Sequence, residues 1–152
     1  MKMLFVISSL LVSSAAFAQS AEEQAVRATI TQMFDGMRKA DTTLFKAVFA
    51  PNATLQSVIK NKEGIVSVQQ SAIPGFITSV GKQPAGALDE RLSGMDIKID
   101  GELATAWTPY TFYYNKQKNH CGVNVFTLVK LNGQWKIQNI IDTRRRENCP
   151  DL

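Results

Sequence analysis

His120 is the only histidine in the chain, and its imidazole is the side chain best suited to transfer a proton near neutral pH. Tyr113 and Asn124 lie close to it in the sequence and supply a phenol and an amide that could hold a small molecule. A general base normally has an orienting partner, and the sequence identifies none for this imidazole. His120 is therefore a candidate catalytic residue, and a hydrogen-bonding residue at the end of a strand is the alternative.

A second group of charged residues, Arg144, Arg145 and Arg146, lies near the C-terminus, with Lys136 a short distance before it. Guanidinium groups bind carboxylates and phosphates through paired hydrogen bonds, so this cluster suits a small anion. A solvated terminal charge run is the alternative interpretation. The formal net charge of +4 is too small and too scattered to predict a nucleic-acid partner.

Cys121 and Cys149 are the only cysteines. Two cysteines and one histidine do not give the ligand spacing of a structural zinc site, and we expect neither a metal nor a cofactor. In an oxidising compartment the two cysteines would form one disulfide that ties the C-terminal tail to the sheet. Two free thiols are the alternative.

Residues 1–18 have the pattern of a signal peptide. Lys2 is followed by the apolar run Leu4 to Val12 and by small residues that end at Ala18. This stretch is shorter than the roughly 20 apolar residues that a membrane-spanning helix needs. We therefore expect cleavage after Ala18, a single domain over residues 19–152, a periplasmic or secreted location, and no membrane partner after cleavage.

Two helices are predicted first among the elements that must position these residues. Apolar residues recur every three or four positions from Glu22 to Ala40, which is typical of a helix with one buried face. Asp41 offers a capping oxygen for a second, short helix. We expect this helix to run to Ala50 and to end at Pro51.

A hairpin and a third helix follow these two helices. Thr54 to Ile59 and Ile65 to Val68 suit two strands that are joined by a turn at Asn61 to Gly64. Ser71 can cap a helix that ends at Gly81.

The C-terminal half of the sequence predicts an antiparallel meander. Leu88 to Ile99 leads into the turn dipeptide Asp100-Gly101, and Asn132-Gly133 is a second tight-turn signal. Three later runs are rich in β-branched and aromatic residues: Glu102 to Tyr114, His120 to Leu131, and Gln134 to Thr143. With 45% hydrophobic residues, the composition fits one α+β domain that packs its helices on one face of a curved antiparallel sheet.

The turns also predict which side chains share a face of the sheet. With Asn132-Gly133 as a two-residue turn, Asn124 pairs with Ile141, and a turn at Asn115-Lys116 pairs Trp107 with Asn124. Because side chains alternate along a strand, one face then collects the predicted ligand-binding residues: Trp107, Tyr113, His120, Asn124 and Asn139. A slip of one residue would exchange the two faces. The opposite face is more mixed and is either solvated or the surface of a homodimer.

The order of these elements resembles the nuclear transport factor 2-like superfamily, which has a cystatin-like cone fold. The resemblance is strongest in four stretches: Ala104 to Tyr113, Asn119 to Phe126, Gly133 to Ile137, and Ile141 to Arg145. These stretches are similar to a group of exported bacterial members that are described as "putative lumazine-binding". The resemblance implies the cone fold but no single function, because relatives on this fold include isomerases, dehydratases, epoxide hydrolases and binding modules.

The ketosteroid isomerase branch of this superfamily uses a Tyr on the first helix and an Asp after the first strand. The matching positions in this chain hold Met33 and Ser57. A thioether cannot donate a proton to an enolate, and a serine without an adjacent base is a poor proton acceptor at neutral pH. The comparison therefore disfavours steroid isomerase activity.

A concave sheet face that carries aromatic side chains and isolated polar groups is typical of a small-molecule pocket. We expect the protein to bind a small, partly apolar molecule, because no complete set of acid, base and electrophile can be assembled. One alternative is a cofactor-independent lyase, isomerase or hydrolase that uses His120 with Tyr113 or Asn124. The other is a structural homodimer without a ligand.

Overall fold

The computed structural model describes the backbone of residues 10–152 and the side chains from Ala21 onward. Residues 1–9 and the side chains of 10–18, which form the predicted signal peptide, lie outside the described part. The helices are α1 (Leu10–Lys39), α2 (Thr42–Lys46) and α3 (Ile73–Gly81). The strands are β1 (Phe49–Lys60), β2 (Val66–Ala72), β3 (Leu88–Leu92), β4 (Asp96–Asp100), β5 (Leu103–Tyr114), β6 (Gln117–Leu131) and β7 (Gln134–Thr143).

The strands form one curved sheet in the order β2-β1-β7-β6-β5-β3, and β4 also pairs with β5. Neighbouring strands are antiparallel except β1 and β7, which run parallel. β7, the last strand of the meander, lies beside β1 and runs in the same direction, so this pair is parallel. The predicted α+β class, with helices on one face of a curved and mainly antiparallel sheet, is confirmed.

Helix α1 supplies one wall of the core, as its apolar spacing predicts. Its buried side chains are Val26, Ile30, Met33, Phe34 and Met37. Phe34 meets the buried Phe126 of β6 edge to face, with the ring centroids 6.0 Å apart. This packing fixes α1 across the inner face of the sheet, which is the face that carries the cavity described below.

Asp41 caps α2, because its Oδ1 accepts a hydrogen bond from the amide of Leu44 at 2.9 Å. The helix is nevertheless shorter than predicted, and Pro51 lies in β1 rather than at a helix end. The register of β1 against β7 is irregular at this point, and Asn52 has a φ of 59°. Such an irregularity accommodates a residue that has no amide hydrogen to donate to a neighbouring strand.

Two further boundaries differ from the sequence prediction. The expected strand from Leu88 to Ile99 is split into β3 and β4 by a short break around Gly94, and both parts pair with β5. Helix α3 begins at Ile73 rather than after Ser71, although it ends at Gly81 as predicted.

A register irregularity between β5 and β6 changes the predicted face of Trp107. Next to the turn that joins β5 to β6, Tyr113 pairs with Lys118, as the predicted register requires. Farther from this turn the register is shifted by one residue, and Trp107 pairs with Val125. A β-bulge adds one residue to one strand and so turns the following side chains to the other face. The prediction that Trp107 faces Asn124 is therefore wrong.

A second irregularity, in the hairpin of β6 and β7, changes the predicted face of Asn139. Between the Asn132-Gly133 turn and Ile137, the two strands pair in the predicted register. Gln138 is then the extra residue of a β-bulge in β7. Beyond it, Asn124 pairs with Asp142 instead of Ile141. The bulge therefore turns Asp142 toward the inner face of the sheet and Asn139 away from it.

The C-terminal tail lies on the outer face of β5 and β6 and is held there by a disulfide. Cys121 and Cys149 are bonded, with their Cα atoms 5.4 Å apart. The Oγ1 of Thr111 donates a hydrogen bond to the carbonyl of Pro150 at 3.0 Å, and the hydroxyl of Tyr113 also bonds to the tail. Tyr113 is thus buried beneath the tail and not beneath the helices.

Candidate functional site

A cavity of about 160 Å³ lies between α1, α3 and the inner face of the sheet. Eight apolar side chains form most of its wall: Met33, Phe34, Met37, Leu55, Phe76, Leu88, Phe112 and Ile140. Five polar side chains complete it: Glu90, His120, Asn124, Asp142 and Arg144. An apolar cavity with a few converging polar groups has the composition of a small-molecule site.

Glu90 reaches the cavity from β3, and its Oε1 accepts a hydrogen bond from the Nδ2 of Asn124 at 2.7 Å. Desolvation by the surrounding side chains raises the pKa of Glu90 to about 7. Within this net shift, the hydrogen bond from Asn124 and the charge of Arg144 act to lower the pKa, and the negative charge of Asp142 acts with desolvation to raise it. Glu90 therefore exchanges a proton near neutral pH.

Asp142 stands at the end of β7 and is only 5% exposed. Its Oδ2 accepts hydrogen bonds from the Nε of Arg144 at 2.7 Å and from the hydroxyl of Tyr110 at 3.2 Å. Its Oδ1 is buried and has no hydrogen-bond partner in the described part of the chain. An unpaired buried acceptor is costly, so this oxygen is a natural point of attachment for a hydrogen-bond donor.

Tyr110 and Arg144 hold the Asp142 carboxylate in place. Burial raises the pKa of Tyr110 far above its ordinary value, so its hydroxyl remains a donor to Asp142 and to the carbonyl of Thr143. Burial alone would lower the pKa of Arg144, but the hydrogen bond and charge of Asp142 raise it. The result is a fixed ion pair with one carboxylate oxygen left over.

His120 forms part of the cavity wall and is half-buried. Its ring lies 5.0 Å from the ring of Phe112 and 5.7 Å from that of Tyr110, and its Nδ1 is 2.9 Å from the Oδ1 of Asn119. Desolvation, together with the nearby charge of Arg144, lowers the pKa of His120 to about 4. The imidazole is therefore neutral at pH 7, whereas the sequence predicts a group that titrates near neutrality.

The structure brings together only some of the residues that the sequence predicts for the pocket. His120 and Asn124 line the cavity. Trp107 is 54% exposed on the outer face, and Tyr113 lies under the C-terminal tail. Asn139 bonds to side chains of β1, outside the cavity. A site that combines His120 with Tyr113 therefore does not form, because the two side chains lie on opposite faces of the sheet.

Glu90, Asp142 and Arg144 are cavity residues that the sequence interpretation assigned elsewhere or missed. Side chains alternate along β3, so Glu90 points to the same face as the apolar Leu88 and Leu92. This even spacing is the signal by which the sequence could have indicated Glu90. Asp142 and Arg144 are turned inward by the bulge at Gln138, which has no comparable signal in the sequence.

A wider and more open cleft of about 460 Å³ lies between α1 and the last hairpin. Within the described residues, no buried polar side-chain atom of its lining lacks a hydrogen-bond partner, and Glu22 accepts from the Nζ of Lys130 at 2.6 Å and from the Nε1 of Trp135 at 2.8 Å. We therefore assign the candidate site to the smaller cavity, where an acceptor is left unpaired.

Among the residues that the structure describes, no group of three or more His, Cys, Asp or Glu side chains is placed to hold a metal ion. In the same part of the chain, no helix has both the length and the apolar character needed to cross a membrane.

The sequence matches the protein family described as "Putative lumazine-binding" over residues 21–141. This match covers most of the chain, and the protein belongs to that family. No protein with a curated description matches the sequence.

Solved structures with the same fold include an NTF2-like protein with a cystatin-like fold from Novosphingobium aromaticivorans, with a TM-score of 0.72, 11% identity and 94% of each chain covered. An NTF2-like protein from Shewanella baltica has a TM-score of 0.63 and 18% identity, over 84% of this chain and 97% of the other. A "putative ketosteroid isomerase" from Shewanella frigidimarina has a TM-score of 0.58 and 14% identity, over 78% and 94%. Together with the family match, these similarities confirm the predicted superfamily and cone fold. At such identities the structural similarities by themselves show the fold alone.

Proposed function

We propose that the protein binds a small, partly apolar molecule in the cavity between its helices and its sheet. The observation that carries this proposal is an apolar cavity whose polar side chains include a buried carboxylate oxygen that has no partner among the described residues. Protein interiors are close-packed and leave few voids larger than a water molecule, so a space of about 160 Å³ beside ionisable groups is unusual for a purely structural core. The family description, which names a heterocyclic ligand, supports the same class of function.

The cavity volume limits the size of the ligand. A protein cavity of about 150 Å³ accommodates benzene, and this cavity is about 160 Å³. The molecule that fits is therefore a single ring or a compact fused ring with few substituents. The rings of Phe34, Phe76 and Phe112 in the wall favour a flat ligand, because aromatic rings stack on or against one another.

The test of this proposal is to fill the cavity. Leu88→Trp places an indole where the cavity begins, and Leu92→Trp is the matched control on the same strand and face but outside the cavity lining. Benzene added to isotope-labelled protein should shift the NMR signals of the lining residues in the unaltered protein and in Leu92→Trp, but not in Leu88→Trp. The absence of such shifts in the unaltered protein at the solubility limit of benzene would refute the proposal.

A second candidate function is proton-transfer catalysis, and one observation favours it. Desolvation places the pKa of Glu90 at about 7, which is the range in which a carboxyl group both takes up and releases a proton efficiently. The test uses cyclohexanone, a ring ketone whose α-hydrogens exchange with D₂O. Faster exchange in the presence of the protein, lost in Glu90→Gln, would support catalysis; equal rates for both proteins would leave binding as the function.

We also propose that the protein is exported and that it acts in a periplasmic or extracellular space. The pattern of residues 1–18 supports export, and so does the family match, which begins at residue 21, just after the predicted cleavage site. The disulfide of Cys121 and Cys149 suits an oxidising compartment. N-terminal sequencing of protein from the periplasm or medium should begin at Gln19, and a cytosolic chain that begins at Met1 would contradict the proposal.

Self-association through the outer sheet face is compatible with this function. Trp107 is 54% exposed and Leu103 is 48% exposed, and both project from the same face of β5. Large exposed apolar side chains that share a face are a common feature of association surfaces. Sedimentation should show a dimer that Trp107→Glu dissociates, and a monomer in the unaltered protein would exclude this arrangement.

A further inference from the structure

We propose that the ligand of the cavity is a neutral ring that donates a hydrogen bond, from an N–H or O–H group, to the Oδ1 of Asp142. This inference rests on the proposed binding function and specifies the chemistry of the bound molecule. It concerns the polar part of the cavity, where hydrogen bonds join Asn124 to Glu90 and Arg144 to Asp142. There, one fully buried acceptor, the Oδ1 of Asp142, has no partner among the described residues.

The two side-chain donors that bond to Asp142 both reach the same oxygen, Oδ2. The Nε of Arg144 and the hydroxyl of Tyr110 both donate to Oδ2, at 2.7 Å and 3.2 Å. The Nδ2 of Asn124 donates to Glu90 at 2.7 Å. Asp142 is 5% exposed, and its Oδ1 is buried without a partner among the described residues. A donor on a bound molecule would therefore satisfy an acceptor that these side chains leave unpaired.

The charges in the cavity favour a neutral molecule over an ion. The carboxylate of Asp142 and the guanidinium of Arg144 form an ion pair at 2.7 Å and offset each other. A carboxylate or phosphate ligand would approach Asp142, which repels it, and Glu90, which repels it whenever it is ionised. A cationic amine would approach Arg144 and would lose its hydration against an apolar wall. The anion site that Arg144 to Arg146 suggest in the sequence is therefore not the chemistry of this cavity.

The test compares rings of similar size that differ in one property. Benzene has no hydrogen-bonding group, pyrrole only donates, pyridine only accepts, benzoate is an anion and benzylammonium is a cation. Dissociation constants are measured by NMR titration of the unaltered protein, of Asp142→Asn, and of the control Asp89→Asn. Asp89 is adjacent to Glu90 in β3 but pairs with Arg38 and Arg91 outside the cavity lining.

The Asp142→Asn variant keeps the shape of the side chain and reverses the hydrogen-bonding character of one position. The remaining oxygen accepts from Arg144 and Tyr110, and the new NH₂ group then occupies the position of Oδ1 and donates. We expect the affinity for pyrrole relative to benzene to fall at least about fivefold in this variant, and the affinity for pyridine relative to benzene to rise. Asp89→Asn should leave both ratios unchanged. In the unaltered protein, benzoate and benzylammonium should bind more weakly than pyrrole.

A measurement on the unaltered protein covers the case in which Asp142→Asn does not fold. The ¹³Cγ resonance of Asp142 should shift on addition of pyrrole and much less on addition of benzene. Suppose that pyrrole and benzene both bind, but that Asp142→Asn leaves their affinity ratio unchanged and the ¹³Cγ resonance responds equally to both. The cavity then binds ligands, and the donor inference is wrong. Tighter binding of benzoate or benzylammonium than of pyrrole also overturns it. If no ring binds, the proposed function itself fails.

Discussion

Glu90 and His120 make opposite contributions to the pH dependence of folding. Desolvation raises the pKa of Glu90 from 4.5 to about 7, so the folded protein binds this proton more tightly than the unfolded chain does. Desolvation lowers the pKa of His120 from 6.5 to about 4, so the folded protein binds that proton less tightly. Both groups lie in the wall of the same cavity.

The two effects are similar in size. A tenfold change in proton affinity corresponds to about 1.4 kcal/mol, so each group contributes roughly 3 kcal/mol to the free energy of unfolding. The contribution of Glu90 is complete below pH 4.5 and is lost as the pH rises through 7. The contribution of His120 is complete above pH 6.5 and is lost as the pH falls through 4. Between pH 4.5 and 6.5 the two slopes nearly cancel.

Single substitutions should therefore reveal a pH dependence of the free energy of unfolding that nearly cancels in the unaltered protein. Glu90→Gln keeps an oxygen for Asn124 and removes the titration, and its free energy of unfolding should rise by roughly 3 kcal/mol between pH 4 and 6.5. His120→Phe keeps a ring beside Phe112, and its free energy of unfolding should fall by a similar amount between pH 4.5 and 7.

The assay is urea unfolding at several pH values, followed by the fluorescence of the buried Trp135. Asp89→Asn is the control, because the neighbours of Asp89 lower its pKa and place its titration below this pH range. Differences between each variant and the unaltered protein remove the contributions of the other groups. A Glu90→Gln variant with the same pH profile as the unaltered protein would show that Glu90 is not desolvated as described.

Three further predictions test the architecture around the cavity. Cys149→Ala should lower the free energy of unfolding by about 3–4 kcal/mol, because the disulfide closes a loop with a sequence separation of 28; a reducing agent that leaves the unaltered protein as stable as before would contradict this. Gly122→Ala should cost at least about 2 kcal/mol in a urea titration, since a methyl group would overlap the carbonyl oxygen of Thr143. Gly94→Ala, where a Cβ meets no atom, is its control, and equal stabilities would be evidence against the close approach. Trp107→Phe should leave the affinity for benzene unchanged, because Trp107 is exposed on the outer face of the sheet. A weaker affinity would show that Trp107 belongs to the binding site.

The sequence predicts the elements of this fold well because their signals are local. The apolar period of α1 and the turn at Asn132-Gly133 each depend on a few neighbouring residues, and β7 has its predicted bounds. The end of α2 is less well predicted, because Pro51 is compatible with a helix end and also with an irregular strand. The choice between these two is made by the pairing of β1 with β7, which are far apart in the sequence.

The candidate site is predicted less well than the fold because its lining depends on register. A β-bulge is defined by how two strands pair, and no distinct amino-acid pattern in this sequence marks it. Two such irregularities exchange the faces of Trp107 and Asn139 with those of their neighbours. His120 and Asn124 both reach the cavity because they follow the first irregularity on the same strand, β6, with an even spacing between them.

The extra residue in β7 has a consequence for how this domain could diversify. Deletion of Gln138 would only remove the bulge and leave Asp142 facing inward, whereas insertion of one residue after Asn139 would shift the phase of the strand end, so that Ile141 and Thr143 would replace Asp142 in the lining. The cavity would then lose its anionic acceptor without a single substitution in its wall. A single insertion in this strand can therefore alter ligand preference at constant topology, which is a physical reason to compare relatives of this cone strand by strand rather than by overall shape.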